Sequence, residues 1–183
     1  MLLKHSILLA LAILSLPAAA AAAPSPGHYY GTGHANLAWT PTFFAENAAG
    51  SGTLTTNLAT FGEAMAFQMP ITSMDLQVLT IFPGLPTSGH MTVSVPAAAD
   101  PWWATYPGGV PPGITTGGTI DFTLAGHAEQ HANAVTMYGT YTVSGATGQY
   151  AGLVSSGDWS SSATGGGSSF GPLLDFAIIG NYS

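Results

Sequence analysis

Two segments of this chain alternate apolar and polar side chains so strictly that only an extended backbone accommodates them. In Thr119 to Ala125, Ile120, Phe122 and Leu124 stand against Thr119, Asp121 and Thr123; in His90 to Val95, Met91, Val93 and Val95 stand against His90, Thr92 and Ser94. A period of two fits a strand with one buried face, whereas a helix would scatter these residues around its circumference. Weaker versions of the pattern run through Tyr29 to Trp39, Gly52 to Thr60, Asp75 to Phe82, Val135 to Ser144 and Leu153 to Ser162. The first two of these are joined by a loop through Pro41 and Glu46 to Gly50. Leu173 to Tyr182 is apolar on both faces, which predicts a central or covered strand. Only Ala59 to Met69 has helical composition, and Pro70 stops it. Seven or eight short strands in one small domain predict an all-β fold, a single antiparallel barrel of about eight strands, with a sandwich as runner-up.

The first 22 residues read as a signal peptide. Lys4 and His5 form a short basic region, Ile7 to Leu16 an apolar core too short to span a bilayer comfortably, and Ala18 to Ala23 a run of small residues suited to cleavage between Ala19 and Ala22. Residues 23–183 are then one exported domain, extracellular or periplasmic. The chain has no Cys, so this domain must hold together by packing and backbone pairing rather than by disulfides.

Charge narrows the partners. Lys4 is the only Lys or Arg, against eight Asp and Glu. Phosphate backbones are bound chiefly by Lys and Arg, so nucleic acid is excluded, and anionic membrane surfaces are disfavoured on the same ground. No membrane partner is expected once the leader is removed. A neutral or apolar small molecule, a glycan or a protein surface remains, together with self-association of a low-charge domain. With few ion pairs to lose, the domain is expected to tolerate acid.

A turn sequence carries a family likeness. Gly139-Thr140-Tyr141-Thr142-Val143-Ser144-Gly145-Ala146-Thr147-Gly148-Gln149-Tyr150-Ala151-Gly152, followed by Ser156-Gly157, resembles the strand–turn–strand signature of a group of small secreted bacterial β-proteins. That group is in turn similar to the allene oxide cyclase and dirigent β-barrels. The resemblance implies a barrel. It places Gly145 and Gly148 at positive-φ turn positions, Tyr150 as a cap on the core and Gly152 where strands bend. Gln149 stands where the signature has Arg, and none of the cyclases' catalytic positions is matched, so no isomerase activity follows from it. A fainter internal echo pairs Tyr30-Gly31-Thr32 with Tyr138-Gly139-Thr140.

Several residues are candidates for chemistry or binding. If the strand beginning at Thr119 continues, Asp121, His127, Glu129 and His131 share one face, a donor set suited to a transition metal; otherwise Gly126 to Ala134 is a polar hairpin loop. His127, Glu129 and His131 are therefore the candidate metal ligands, with His28 and His34 as further donors. Asp158 beside Trp159 could bind a sugar, the carboxylate taking hydroxyls and the indole stacking, or could be a turn residue next to a core one. Trp102, Trp103 and Tyr106 lie in Pro96 to Gly118, a stretch without strand period that should cap or bind something. Glu46 and Glu63 are expected at the surface, and Gly165 to Ser169 at a hairpin tip. No Gly-x-Ser-x-Gly elbow occurs. The sequence favours a non-catalytic barrel that binds a ligand without a cofactor or assembles at the cell surface. The alternatives are a cofactor-free cyclase working in the lumen and a metal-dependent enzyme at the His127 cluster.

Overall fold

The computed structural model describes residues 26–62, 65–131, 134–164 and 171–183; the expected leader, Glu63 and Gly165 to Ser169 lie outside them. The chain forms eight strands: β1 (Gly27–Pro41), β2 (Ala45–Thr56), β3 (Phe67–Leu79), β4 (Pro86–Val95), β5 (Gly118–His131), β6 (Ala134–Ala146), β7 (Ser155–Thr164) and β8 (Leu173–Tyr182). Each pairs antiparallel with the next, and β8 returns to β1 with Gly27 opposite Tyr182 and Asn36 opposite Leu173, so the sheet is a closed barrel. Closure leaves no edge strand, since each of the eight has a partner on both sides.

Alternation decides which side chains fill the interior. Ile120, Phe122, Leu124 and Ala128 of β5 point inward with Met91, Val93 and Val95 of β4, Leu76 and Val78 of β3, and Phe176 and Ile178 of β8, in one contiguous buried cluster. Near one end the rings of Phe122, Tyr141, Tyr29, Tyr182, Phe61 and Tyr150 follow one another at centroid separations of 5.7, 6.0, 6.4, 5.9 and 5.6 Å. Chain segments 57–62, 96–117 and 147–154 close that end. Tyr150 caps the core as the turn signature implies, its hydroxyl donating to the carbonyl of Ala59 at 2.8 Å. The Tyr182 hydroxyl donates to the carbonyl of Phe61.

Four local expectations are corrected. Ala59 to Met69 is not a helix: a single 3₁₀ turn, Leu58–Thr60, is followed by β3, which runs through Pro70. Pro70 pairs with Thr53 of β2 next to a shift in register, where a missing N–H is tolerated. The loop from Pro41 to Gly50 shrinks to 42–44, because β2 already begins at Ala45. β8 is central as expected, lying between β7 and β1, but it is not covered on both faces, since Leu173 and Ile179 are exposed on the outer wall. Gly145 has no positive φ and lies in β6 opposite Asp121 at a bulge; the left-handed turn positions are Gly148 (φ 61°) and Gly152 (φ 85°).

Candidate functional site

β5 runs on to His131 rather than ending in a polar loop at Gly126, so Asp121, His127, Glu129 and His131 do share the outer face of one strand. They are nevertheless not gathered. Asp121 accepts from the Thr92 hydroxyl at 2.7 Å, Glu129 accepts from the Tyr138 hydroxyl, and His131 Nε2 lies 3.4 Å from Thr136 Oγ1. His127 packs its ring against Tyr138 at 4.0 Å. Among the described residues no three His, Asp or Glu side chains come together to hold a metal ion. The hydrogen bond to Glu129, with desolvation and the carboxylate's charge, raises the Tyr138 phenol above its ordinary pKa. His28 and His34 lie on β1 and, among the described residues, complete no such group.

The aromatic trio turns mostly upon itself. A 3₁₀ turn at Pro101–Thr105 is capped by Asp100, whose carboxylate accepts from the Trp102 N–H at 2.8 Å. Trp103 is buried in the core and donates its indole N–H to the Ala97 carbonyl at 2.9 Å. Half-buried Trp102 meets Trp103 edge-on at 4.7 Å and stacks on Tyr106 at 5.2 Å. Tyr106 in turn accepts from the Gln68 N–H at 3.1 Å, so the loop is a lid pinned to the barrel's closed end.

Asp158 and Trp159 separate as adjacent strand residues must. Trp159 enters the core and donates its indole N–H to the Ala125 carbonyl at 3.1 Å, while Asp158 faces solvent. Asp158 does line a surface hollow, but with other partners. The outer wall of β6, β7, β8 and β1 is hollowed into a trough because cross-strand register brings small side chains side by side: Ser160 opposite Ala177, and Ala177 opposite Thr32. One part, of about 630 Å³, is walled by Thr136, Tyr138, Ser162, Asp175 and His34. Another, of about 370 Å³, shares Ser160, Ala177 and Thr32 with it and adds Tyr30, Asp158 and Ile179. The trough continues past Tyr30 and Asp158 to Asn181 and His28. From His28 to His34 it follows β1 for about 20 Å. Tyr30 and Tyr138 flank it on strands three spacings apart, about 14 Å.

The trough's chemistry is that of hydroxyls, carboxylates and phenols. Thr53, His34, Asp175 and Ser162 occupy one cross-strand row, and His34 Nε2 lies 3.0 Å from Thr53 Oγ1. Among the described residues no hydrogen bond or ion pair joins Asp175 to His34, so no acid orients the imidazole as a nucleophile's base requires. The row is a set of donors and acceptors rather than a triad. Nor is any described carboxylate fully buried, as a lumenal cyclase would need. Sequence reasoning missed Tyr30, Tyr138 and Asp175 as a group. The echo between Tyr30-Gly31-Thr32 and Tyr138-Gly139-Thr140 held the signal, because in both copies the tyrosine takes the outward parity. The chain matches no protein-family model, no curated protein and no solved structure.

Proposed function

We propose that this protein is an exported, non-catalytic recognition barrel whose outer-wall trough binds a neutral glycan. The observation that carries the reading is the small-residue floor of Ser160, Ala177 and Thr32 between Tyr30 and Tyr138, with Asp158 and Asp175 on its walls. Carboxylates and hydroxyls can each take sugar hydroxyls, and an exposed phenol offers an apolar face with a polar tip. The trough is long enough for several sugar rings. No Lys or Arg occurs among the described residues to attract an anionic ligand, so neutral polymers are favoured.

Titration calorimetry against neutral and uronic-acid oligosaccharides tests the proposal. Neutral chains are expected to bind and acidic ones not. Ala177→Trp fills the floor and is expected to weaken binding at least tenfold, with Asp175→Asn weakening it less, while both variants keep the wild-type melting curve. Absence of binding to any neutral oligosaccharide, or affinity unchanged by Ala177→Trp, would overturn it.

A further inference from the structure

We propose that the end of the barrel opposite the aromatic lid docks into the electrically neutral interface of a lipid bilayer. Two turns make up the docking element. The turn between β1 and β2 leaves Phe43 83% and Phe44 56% exposed, and the turn between β3 and β4 leaves Ile81 and Phe82 each 50% exposed. The two turns are one unit: β2 pairs with β3 up to Ala45 opposite Leu79, and the Thr80 N–H donates to the Phe44 carbonyl at 3.0 Å. The rings of Phe43 and Phe44 meet edge to face at 4.8 Å, which fixes them as projecting spikes. Exposed apolar groups gathered in this way mark a site of association.

Shape and charge together select lipid as the occupant. The side chains project from hairpin tips, a convex surface; a fluid interface closes around spikes, whereas a protein partner must supply matching cavities and a second copy would set one convex tip against another. Part of the backbone at the tips is satisfied from within, the N–H groups of Phe43, Phe44, Ile81, Phe82 and Gly84 being left to the surroundings. The N–H and hydroxyl of Thr42 donate to the Ala45 carbonyl at 2.7 and 2.8 Å, the Ala45 N–H donates to Thr42 Oγ1 at 3.0 Å, and the Leu85 N–H donates to the Phe82 carbonyl at 3.2 Å. No Asp, Glu, Lys or Arg occurs in residues 35–45 or 76–89, so the two tips themselves carry no charge to desolvate; the carboxylate beside them at this end is that of exposed Glu129, two residues past the Pro86–His127 pair. The first carboxylate beyond the tip, Glu46, is half-buried. The missing cations weigh against anionic headgroups only; they do not oppose insertion of apolar side chains into a zwitterionic surface.

Co-sedimentation of the purified protein with phosphatidylcholine vesicles tests the proposal. Binding is expected, with no change between low and high salt. Phe43→Ser and Phe44→Ser are each expected to lower partitioning about tenfold, the worth of burying one such side chain. Emission of Phe43→Trp is expected to shift to the blue on vesicle addition and to be quenched by brominated phosphatidylcholine. Val154→Ser, an exposed apolar residue at the opposite end, should leave partitioning unchanged. The proposal fails if the protein stays in the supernatant, or if Val154→Ser weakens binding as much as the tip variants do. It also fails if sedimentation velocity shows a dimer that Phe43→Ser abolishes while vesicles bind nothing, which would assign the tips to a second copy.

Discussion

Tyr141 shows how closely single residues are fitted in this barrel. Its hydroxyl occupies the space left by two glycines paired across β7 and β8: a Cβ on Gly180 would stand 2.0 Å from Tyr141 Oη, and one on Gly157 would stand 2.8 Å from it. Backbone crowds both places as well, since a Cβ on Gly157 would stand 2.0 Å from the Ile179 carbonyl oxygen and one on Gly180 2.5 Å from that of Ser156, so the phenol supplies only part of the demand for glycine. Gly180→Ala is expected to destabilise the fold by about 1–3 kcal/mol, the usual cost of overpacking, as a lowered urea midpoint. Gly180→Ala combined with Tyr141→Phe should recover part of that loss, because the double variant removes the clashing oxygen. The same oxygen is buried without a hydrogen-bond partner, so Tyr141→Phe alone should cost little. If Gly180→Ala melts like the wild type, the glycine pair has been misread.

At the scale of elements, Gln149 has the largest reach. Its Oε1 accepts from the N–H of Thr115 at 2.8 Å, the hydroxyl of Thr115 at 3.2 Å and the N–H of Gly117 at 3.1 Å, and its Nε2 donates to the Gly113 carbonyl at 2.9 Å. One amide thus staples the end of the aromatic lid to the turn between β6 and β7. Gln149→Ala is expected to raise hydrogen exchange at Thr115 and Gly117 strongly while leaving strand amides such as Phe122 and Tyr141 protected. Equal acceleration at both sets would mean that the lid and barrel open together. The sequence showed Gln149 without its purpose, because Gly113 to Gly117 is remote in sequence. Strand content was legible for a local reason: alternation in His90–Val95 and Thr119–Ala125 is written into neighbouring residues. Strand limits were less so. Ala45–Gly50 is small and flexible in composition, and only pairing with β1 and β3 makes it extended; Pro70 suggested a helix stop, although a register shift in the sheet accommodates it. The trough was illegible for the same reason as the staple, since Ser160, Ala177 and Thr32 meet only through the closure of β8 onto β1.

For the molecule as a whole, stability should respond to acid and alkali in opposite ways. Among the described residues the one close ion pair is the exposed His90–Asp75 contact at 3.3 Å, so protonating carboxylates breaks little. Burial raises the Glu46 carboxyl above its ordinary value. The folded protein therefore holds that proton more tightly than the unfolded chain does, and stability from Glu46 increases as pH falls through its folded pKa. Burial also raises the phenols of Tyr141 and Tyr150 well above the ordinary 10.0. Their contribution is complete below that value and is lost as pH climbs past it, because the unfolded chain then sheds protons that the folded one retains. The melting temperature should stay nearly level from pH 7 to about pH 3 and fall above about pH 10. An early, steep acid loss, or tyrosine absorbance that titrates fully while the barrel remains folded, would contradict this account. Closure of β8 onto β1 also bears on synthesis. The first strand's partner is synthesised after the other six strands, so a nascent chain cannot complete its ring until residues 173–182 have left the ribosome. Such distant pairing makes folding slow, and a chain stopped short of Leu173 would present two open strand edges to its neighbours instead of none.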